Sequence, residues 1–360
     1  MKRMSAVLLV LVGLVAAGVG GYSAYSAYRL RKIPAMTTAE VLAAMTHSRP
    51  AARVSVGIIQ DGRTTTTLYG EDGRVLPWTE HTYEIGSLTK TFTAALAFKA
   101  IGEGRLSLDD RIDQHLALPD KPYYPTIRRL LTHTAGYKTQ YLAAPMVSNL
   151  LHGRNGFYGV SAQDLIDKAG RIDLADRDYP FMYSNFGMSL VGAVLAAVHG
   201  EDYQALIDRF VAGDLGLSDT RIGDATGNLG RYWTWAPDDG YIPAGAIVSD
   251  MSDMLRYAQM ELDGTPGFLA DQQRPLAQVS ATPAPYASIG LGLDAVGGAW
   301  IIDQAHGIVW HNGGTGAYNS FLGFDPARRV GVVVLANLPP DPFIQATVLG
   351  AKLLAGLQAG

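Results

Sequence analysis

The chain has 360 residues, enough to bury a large core in one or two domains, and its 48% hydrophobic content excludes wholesale disorder. A formal net charge of −4, with no Lys/Arg block after residue 32, gives no electrostatic footprint for nucleic acid. Cysteine is absent, which excludes disulfides, a thiol nucleophile, thiolate metal sites and lipidation on cysteine.

Residues 1–32, "MKRMSAVLLVLVGLVAAGVGGYSAYSAYRLRK", have a basic start, an apolar stretch from Ala6 to about Tyr28, and then Arg29, Arg31 and Lys32. Roughly 20 apolar residues suffice to cross a bilayer. Gly18, Gly20 and Ser23 fit a cleaved signal peptide, which would leave a secreted or periplasmic body. Tyr22, Tyr25 and Tyr28 fit an uncleaved membrane anchor whose aromatics meet the interface. The anchor is favoured because the stretch approaches spanning length, and it places the body in the cell envelope, outside the cytoplasm.

Residues 33–50 read as a polar, helix-capable connector. "RVSVGIIQDGRTTTTLYG" alternates and is β-branched, with Asp61-Gly62 between its halves, so a β-hairpin is expected. From Ser87 the pattern turns helical to about Ile101, where Gly102 and Gly104 stop it. The stretch from about 105 to 240 shows helical segments at 161–169, 186–199 and 201–212 with little strand signal. A short helix is expected over 251–262, strands over 299–302, 307–311, 318–324 and 329–336, and a last helix over 342–355. Turn signals fall at Gly313-Gly314 and Asp325-Pro326. This order predicts an α+β fold: an antiparallel sheet flanked by helices (about 51–104 and 245–360), with an inserted all-α lobe (about 105–244).

Within "EIGSLTKTFTAAL", Ser87 and Lys90 are three apart, so on a helix their side chains share a face. A serine hydroxyl becomes a nucleophile when a neighbouring base takes its proton, and a lysine can be that base when burial lowers its pKa. The apolar run after Lys90 suits such burial. Ser-x-x-Lys alone is weak, since an N-cap serine with a solvated lysine has the same spacing. "YSN" at 183–185 opens an apolar helical pattern and also reads as a cap. "HNGG" at 311–314 also reads as a hairpin turn.

Together and in this order, Ser-x-x-Lys, Tyr-Ser-Asn and His-x-Gly resemble the serine β-lactamase and penicillin-recognising D,D-peptidase superfamily. "GRLSLDDRI", "RRLLTHTAGY", "YSNFGMSLVGAVL", "HNGGTGAYNSFLGFDP" and "VGVVVLAN" carry the resemblance over roughly 45–357. The variant is most like D-alanyl-D-alanine carboxypeptidases and class C-like esterases. The resemblance implies an acyl-enzyme on Ser87, with Lys90 as its partner and Tyr183 as phenolate or proton shuttle. It implies that Asn185 binds the acyl-side amide and steadies the lysine, and that the N–H groups of Ser87 and Gly314 form an oxyanion hole. Gly313 would let strand and substrate approach without an intervening side chain. His311 stands where many β-lactamases have lysine. It attracts a substrate carboxylate strongly only when protonated, so a rate limb falling above neutral pH is expected for carboxylate-bearing substrates.

His133 reads as a packed histidine. The aromatic loop 231–241 reads equally as an acyl-pocket wall or as packing over the helical lobe. Asp109-Asp110 reads as a turn or cap. No cluster has metal-site spacing and no cofactor is implied. The expected activity is hydrolysis of a small D-amino-acid peptide or ester, with cell-wall-derived substrates among the candidates. A non-catalytic penicillin-binding-like sensor or scaffold, or a weak β-lactamase, are the alternatives.

Overall fold

The computed structural model describes residues 32–341 and 345–359. The expected spanning stretch, 6–28, lies outside these residues. Among those described, no helix is long and apolar enough to cross a membrane.

A nine-stranded antiparallel sheet forms the frame among the described residues. Its spatial order is Val75–Leu76 (β3), Arg63–Tyr69 (β2), Val54–Gln60 (β1), Val330–Ala336 (β12), Asn319–Asp325 (β11), Ile308–Gly314 (β10), Ile301–Asp303 (β9), Ala295–Val296 (β8) and Ala277–Gln278 (β7). A second sheet of Tyr83–Glu84 (β4), Ile247–Ser249 (β6) and Arg221–Ile222 (β5) sits beside the nucleophile segment. The hairpin β1–β2 forms as expected, with Asp61 and Gly62 at φ 52° and 69°, the left-handed pair of a tight turn. The two- and three-residue strands β3 to β9 carry too few residues to show a period, which is why the sequence pattern missed most of them.

Every residue of β12, "VGVVVLA", is buried because both faces of the sheet are covered. Val332, Val334 and Ala336 join the cluster that holds the helix Ala346–Ala359, while Val333 and Leu335 join the one that holds Met251 and Met254. The stretch expected as a connector is instead built in. Its helix Thr38–Thr46 starts on a Thr37/Glu40 capping box and sinks Val41, Leu42 and Met45 into the first of these clusters.

The helical lobe between β4 and β6 includes Ile127–Leu131, Ala144–Leu151, Ala162–Arg171, Asn185–His199 and Tyr203–Arg209. The helix Thr89–Gly102 runs between lobe and sheet, and 11 of its residues are buried. A helix apolar nearly all round has no solvent face to offer, so it becomes the central helix. It carries Lys90 on its first turn, and that sets the lysine's environment.

Candidate active site

Ser87 lies in a 3₁₀ turn, Gly86–Leu88, that feeds directly into the central helix. It is half-buried, whereas Lys90 is completely buried. Lys90 Nζ lies 2.9 Å from Ser87 Oγ and donates to the Ala244 carbonyl at 2.6 Å. Burial holds the Lys90 amine well below its ordinary pKa. The Ala244 carbonyl takes one N–H, and a neutral amine held this way can turn its lone pair to the serine. That carbonyl is itself fixed, because Thr93 Oγ1 donates to Pro243 O at 2.7 Å and Ile247 N donates to Thr89 Oγ1 at 3.1 Å.

Tyr183 precedes Ser184, which caps the helix Asn185–His199 by accepting from Gly187 N at 2.8 Å. The Lys90 ammonium position is 4.9 Å from the Tyr183 ring centre. Burial pushes the Tyr183 phenol well above its usual pKa, and a hydrogen bond with Ser87 offsets that only in part. Burial disfavours the phenolate of Tyr183, so of the two expected roles the surroundings suit the protonated shuttle better. His133 is packed, as expected. Its ring lies 4.6 Å from that of Tyr183, and its Nδ1 accepts from Ser184 N at 3.2 Å. It holds φ at 59°, a left-handed conformation that is costly for a residue with a side chain.

Asn185 is the first residue of its helix and half-buried near this cluster, but it is not among the hydrogen-bond partners of Lys90. The expected steadying of the lysine is done instead by the Ala244 carbonyl, brought in by the chain after Tyr241.

"HNGG" is not a hairpin turn. His311–Gly314 are the last residues of β10, paired with Leu322–Asn319 of β11, and the chain reverses only at 315–318. The glycines have a packing role. A Cβ on Gly313 would stand 1.9 Å from the Ile85 carbonyl and 2.9 Å from Ser87 N, and one on Gly86 would stand 2.5 Å from Gly314 N. Side chains at either place would force β10 away from the nucleophile turn. Without them, β10 closes on the turn, Gly314 against Gly86 and Gly313 against the Ser87 amide.

His311 is completely buried and its Nδ1–H donates to the Asn312 carbonyl at 2.7 Å. In the neutral ring this leaves Nε2 as the acceptor, and Nε2 has no hydrogen-bond partner among the described residues. Burial first, and the Lys90 charge second, press its pKa down to about 3. This enclosure disfavours the imidazolium on which the expected attraction of carboxylates depends.

Ser87, Tyr183, Gly313 and Gly314 line a cleft of about 340 Å³ whose far wall is Phe181, Tyr286, Leu293, Ile301 and Pro340. Sequence reasoning missed this wall, whose residues come from segments with no pattern of their own. It also missed Glu84, three residues before Ser87. Buried Glu84 accepts from Trp233 N and from Thr315 Oγ1, so it ties the aromatic loop to the turn after β10. That loop is packed, as one of its two expected readings has it. Tyr232 stacks on Tyr318 at 5.1 Å, Phe157 stacks on Tyr241 at 4.3 Å, and Trp233 walls a second cavity. Asp109 and Asp110 are turn residues, as expected, accepting from Arg128 and from Ser107 N.

A family model described as Beta-lactamase matches residues 39–356. A beta-lactamase from Pseudomonas fluorescens is 26% identical over 345 residues, covering 79% of this chain and 88% of its own length. Protein flp from Staphylococcus aureus (strain MW2) is 24% identical over 285 residues, 71% of this chain, and the match takes in 53% of that protein, about half its length. Among solved structures, the octameric penicillin-binding protein homologue from Pyrococcus abyssi aligns with a TM-score of 0.68 at 21% identity, over 95% of this chain and 77% of that one. A beta-lactamase/D-alanine carboxypeptidase from Yersinia pestis aligns with a TM-score of 0.69 at 16% identity, over 87% and 93%. At these identities the structural likeness is one of fold.

Proposed function

The chain belongs to the beta-lactamase family of serine hydrolases, and on that premise we propose that it is an esterase-type member, acting through an acyl-enzyme on esters whose leaving group carries no carboxylate. Ser87 Oγ attacks the acyl carbon as Lys90 Nζ takes its proton. The tetrahedral oxyanion rests on the backbone N–H groups of Ser87 and Gly314. Tyr183 hands its phenolic proton to the departing alkoxide and is reprotonated by Lys90, which returns to the neutral amine. Water then attacks the acyl-enzyme, its proton travelling the same relay back to Ser87 Oγ as the acid leaves.

The observation that carries the ester reading is His311. A neutral imidazole with its only N–H committed to Asn312 has nothing to donate to a carboxylate. The cleft wall beyond Tyr183 is largely apolar; Asn312, Gln345 and Tyr286 are its polar members, and none of its described residues is a lysine or arginine. The D,D-carboxypeptidase reading, favoured by the His-x-Gly motif, needs such a donor, because its leaving D-amino acid bears a free carboxylate.

The test compares p-nitrophenyl butyrate with a D-alanyl-D-alanine peptide on the wild-type protein. We expect kcat/KM to favour the ester by about 100-fold or more, equivalent to ~2.7 kcal/mol of barrier. The two pH profiles should superimpose between about pH 5 and 8, because a group with a pKa of about 3 does not titrate there. A limb falling above about pH 6.5 for the peptide alone would overturn the reading. The His311 shift acts on stability instead. Its folded pKa lies below the unfolded ~6.5, so the unfolded state binds the extra proton and stability falls as pH drops from about 6.5 towards 3.

The apolar stretch Ala6 to about Tyr28 supports an envelope location with the body outside the cytoplasm. A C-terminal fusion to a reporter active only outside the cytoplasm should be active, and an inactive but well-expressed fusion would refute that placement.

A further inference from the structure

A second cavity, of about 630 Å³, opens beside the cleft and is lined in part by Arg154, Asn155, Tyr158, Arg231, Trp233 and Gly316. It shares a frame with the nucleophile. Gly314, at the end of β10, lines the cleft, and Gly316, in the turn that follows, lines the cavity, two residues apart in the chain. Glu84 binds both Thr315 and Trp233, fixing the turn and the aromatic loop to the strand that leads into Ser87. Trp233 lies over the floor, since a Cβ on Gly316 would stand 2.8 Å from its Nε1.

The two arginines give the cavity its chemistry. Neither forms an ion pair with a described residue, although other surface arginines here have carboxylate partners, among them Arg128 and Arg209. Arg231 holds φ at 62°, a conformation that costs a residue with a side chain roughly 1–2 kcal/mol. Arginine stays protonated at any working pH and presents a fork of donors that matches a carboxylate. The position of Tyr183 supplies the direction. As proton donor to the leaving group, it lines the apolar cleft and not the cavity, so the leaving group departs on the apolar side. The acyl group extends the opposite way, along β10 towards Gly316.

We propose that the cavity between the aromatic loop and the turn after β10 is an acyl-side subsite, in which Arg154 and Arg231 bind an acyl chain that ends in a carboxylate. The proposal rests on the acyl-enzyme reading above, with Ser87 as nucleophile and Tyr183 on the leaving-group side. It specifies the substrates as hemiesters: an acidic group at the far end of the acyl chain and an uncharged alcohol as leaving group.

The test uses p-nitrophenyl hemiesters of dicarboxylic acids, from glutarate to sebacate, against p-nitrophenyl alkanoates of matched length. Wild type should prefer the hemiester at one or more lengths by about tenfold in kcat/KM, the ratio that ~1.4 kcal/mol of charged contact gives. In the Arg154→Ala/Arg231→Ala double variant the ratio should fall close to one, and in Arg154→Glu/Arg231→Glu below one. Salt at about 0.5 M should compress the wild-type ratio, because both side chains are exposed. Arg63→Ala, which removes a charge from β2, should leave the ratio as it is. A second readout is independent of turnover: free adipate should change the tryptophan fluorescence through Trp233, and the double alanine variant should lose that response. No preference at any length, or a preference that survives in the double variant, overturns the subsite. A chain that hydrolyses no ester yet binds adipate through both arginines overturns the esterase reading and supports the subsite.

Discussion

Ser87→Ala should abolish turnover and covalent labelling together. A fluorophosphonate should add one label to the wild-type chain and none to the variant, read by intact-protein mass spectrometry. Turnover of p-nitrophenyl butyrate should fall by about 10⁴-fold or more, since losing a nucleophile removes the covalent route entirely. The fold should survive. The Ser87 hydroxyl contacts Lys90 and Tyr183 but holds no core element, and the turn Gly86–Leu88 is set by Gly86 and by the packing of Leu88. An unchanged thermal midpoint with lost labelling would therefore isolate chemistry from folding. A variant that turns over at the wild-type rate would remove Ser87 from the mechanism, and the Lys90 and Tyr183 roles with it.

The second large effect concerns the proton path. Lys90→Met keeps the apolar stem and removes the amine, and Tyr183→Phe keeps the ring and removes the hydroxyl. Each should lower kcat by about 10²–10⁴-fold, the range expected for a positioned acid or base. The double variant should lose little more than the worse single one, because the two groups pass one proton between them. The pH dependence has a definite sign. Burial lowers the Lys90 pKa, so the amine is the active base above that depressed value and the rate rises with pH through it. Burial raises the Tyr183 pKa, so the phenol keeps its proton through neutral pH and the falling limb lies on the alkaline side. Lys90→Met should delete the acid limb and leave the alkaline one. Small, strictly additive losses with an unchanged profile would mean that both residues only pack.

The Ala244 carbonyl ranks with these side chains in what it does. Removing the Lys90 amine leaves this buried acceptor unpaired, a cost of about 1–3 kcal/mol. Lys90→Met should therefore lower the thermal midpoint where Ser87→Ala does not, so its kinetics are read well below the new midpoint.

What could be read without coordinates was whatever depends on near neighbours. Asp61-Gly62 between β-branched runs announced a hairpin, because a two-residue turn needs left-handed residues and both were there. The apolar surround of Lys90 announced a central helix, since such a segment has no face to give to water. Ser87, Lys90 and Tyr183 stood out through the motifs that carry the family resemblance, and the fold gathers them: Ser87 and Tyr183 line one cleft, with Lys90 buried behind Ser87. Other features depended on partners far along the chain. The Ala244 carbonyl that holds Lys90 is 154 residues away and carries no side-chain signal. Histidine is compatible with either charge state, and only the closure of β10 against the turn that carries Ser87 buries His311 and disfavours its charged form. Glu84 stood in the stretch first singled out, yet its partners Trp233 and Thr315 are 149 and 231 residues on. Arg154 and Arg231 looked like any loop arginines until one cavity joined them. The sequence by itself determined the chemistry and the class of fold, because reactive groups and periodic patterns are local. The tertiary structure decided which groups are desolvated and which residues wall each cavity, because these are set by residues that meet only when the chain has folded.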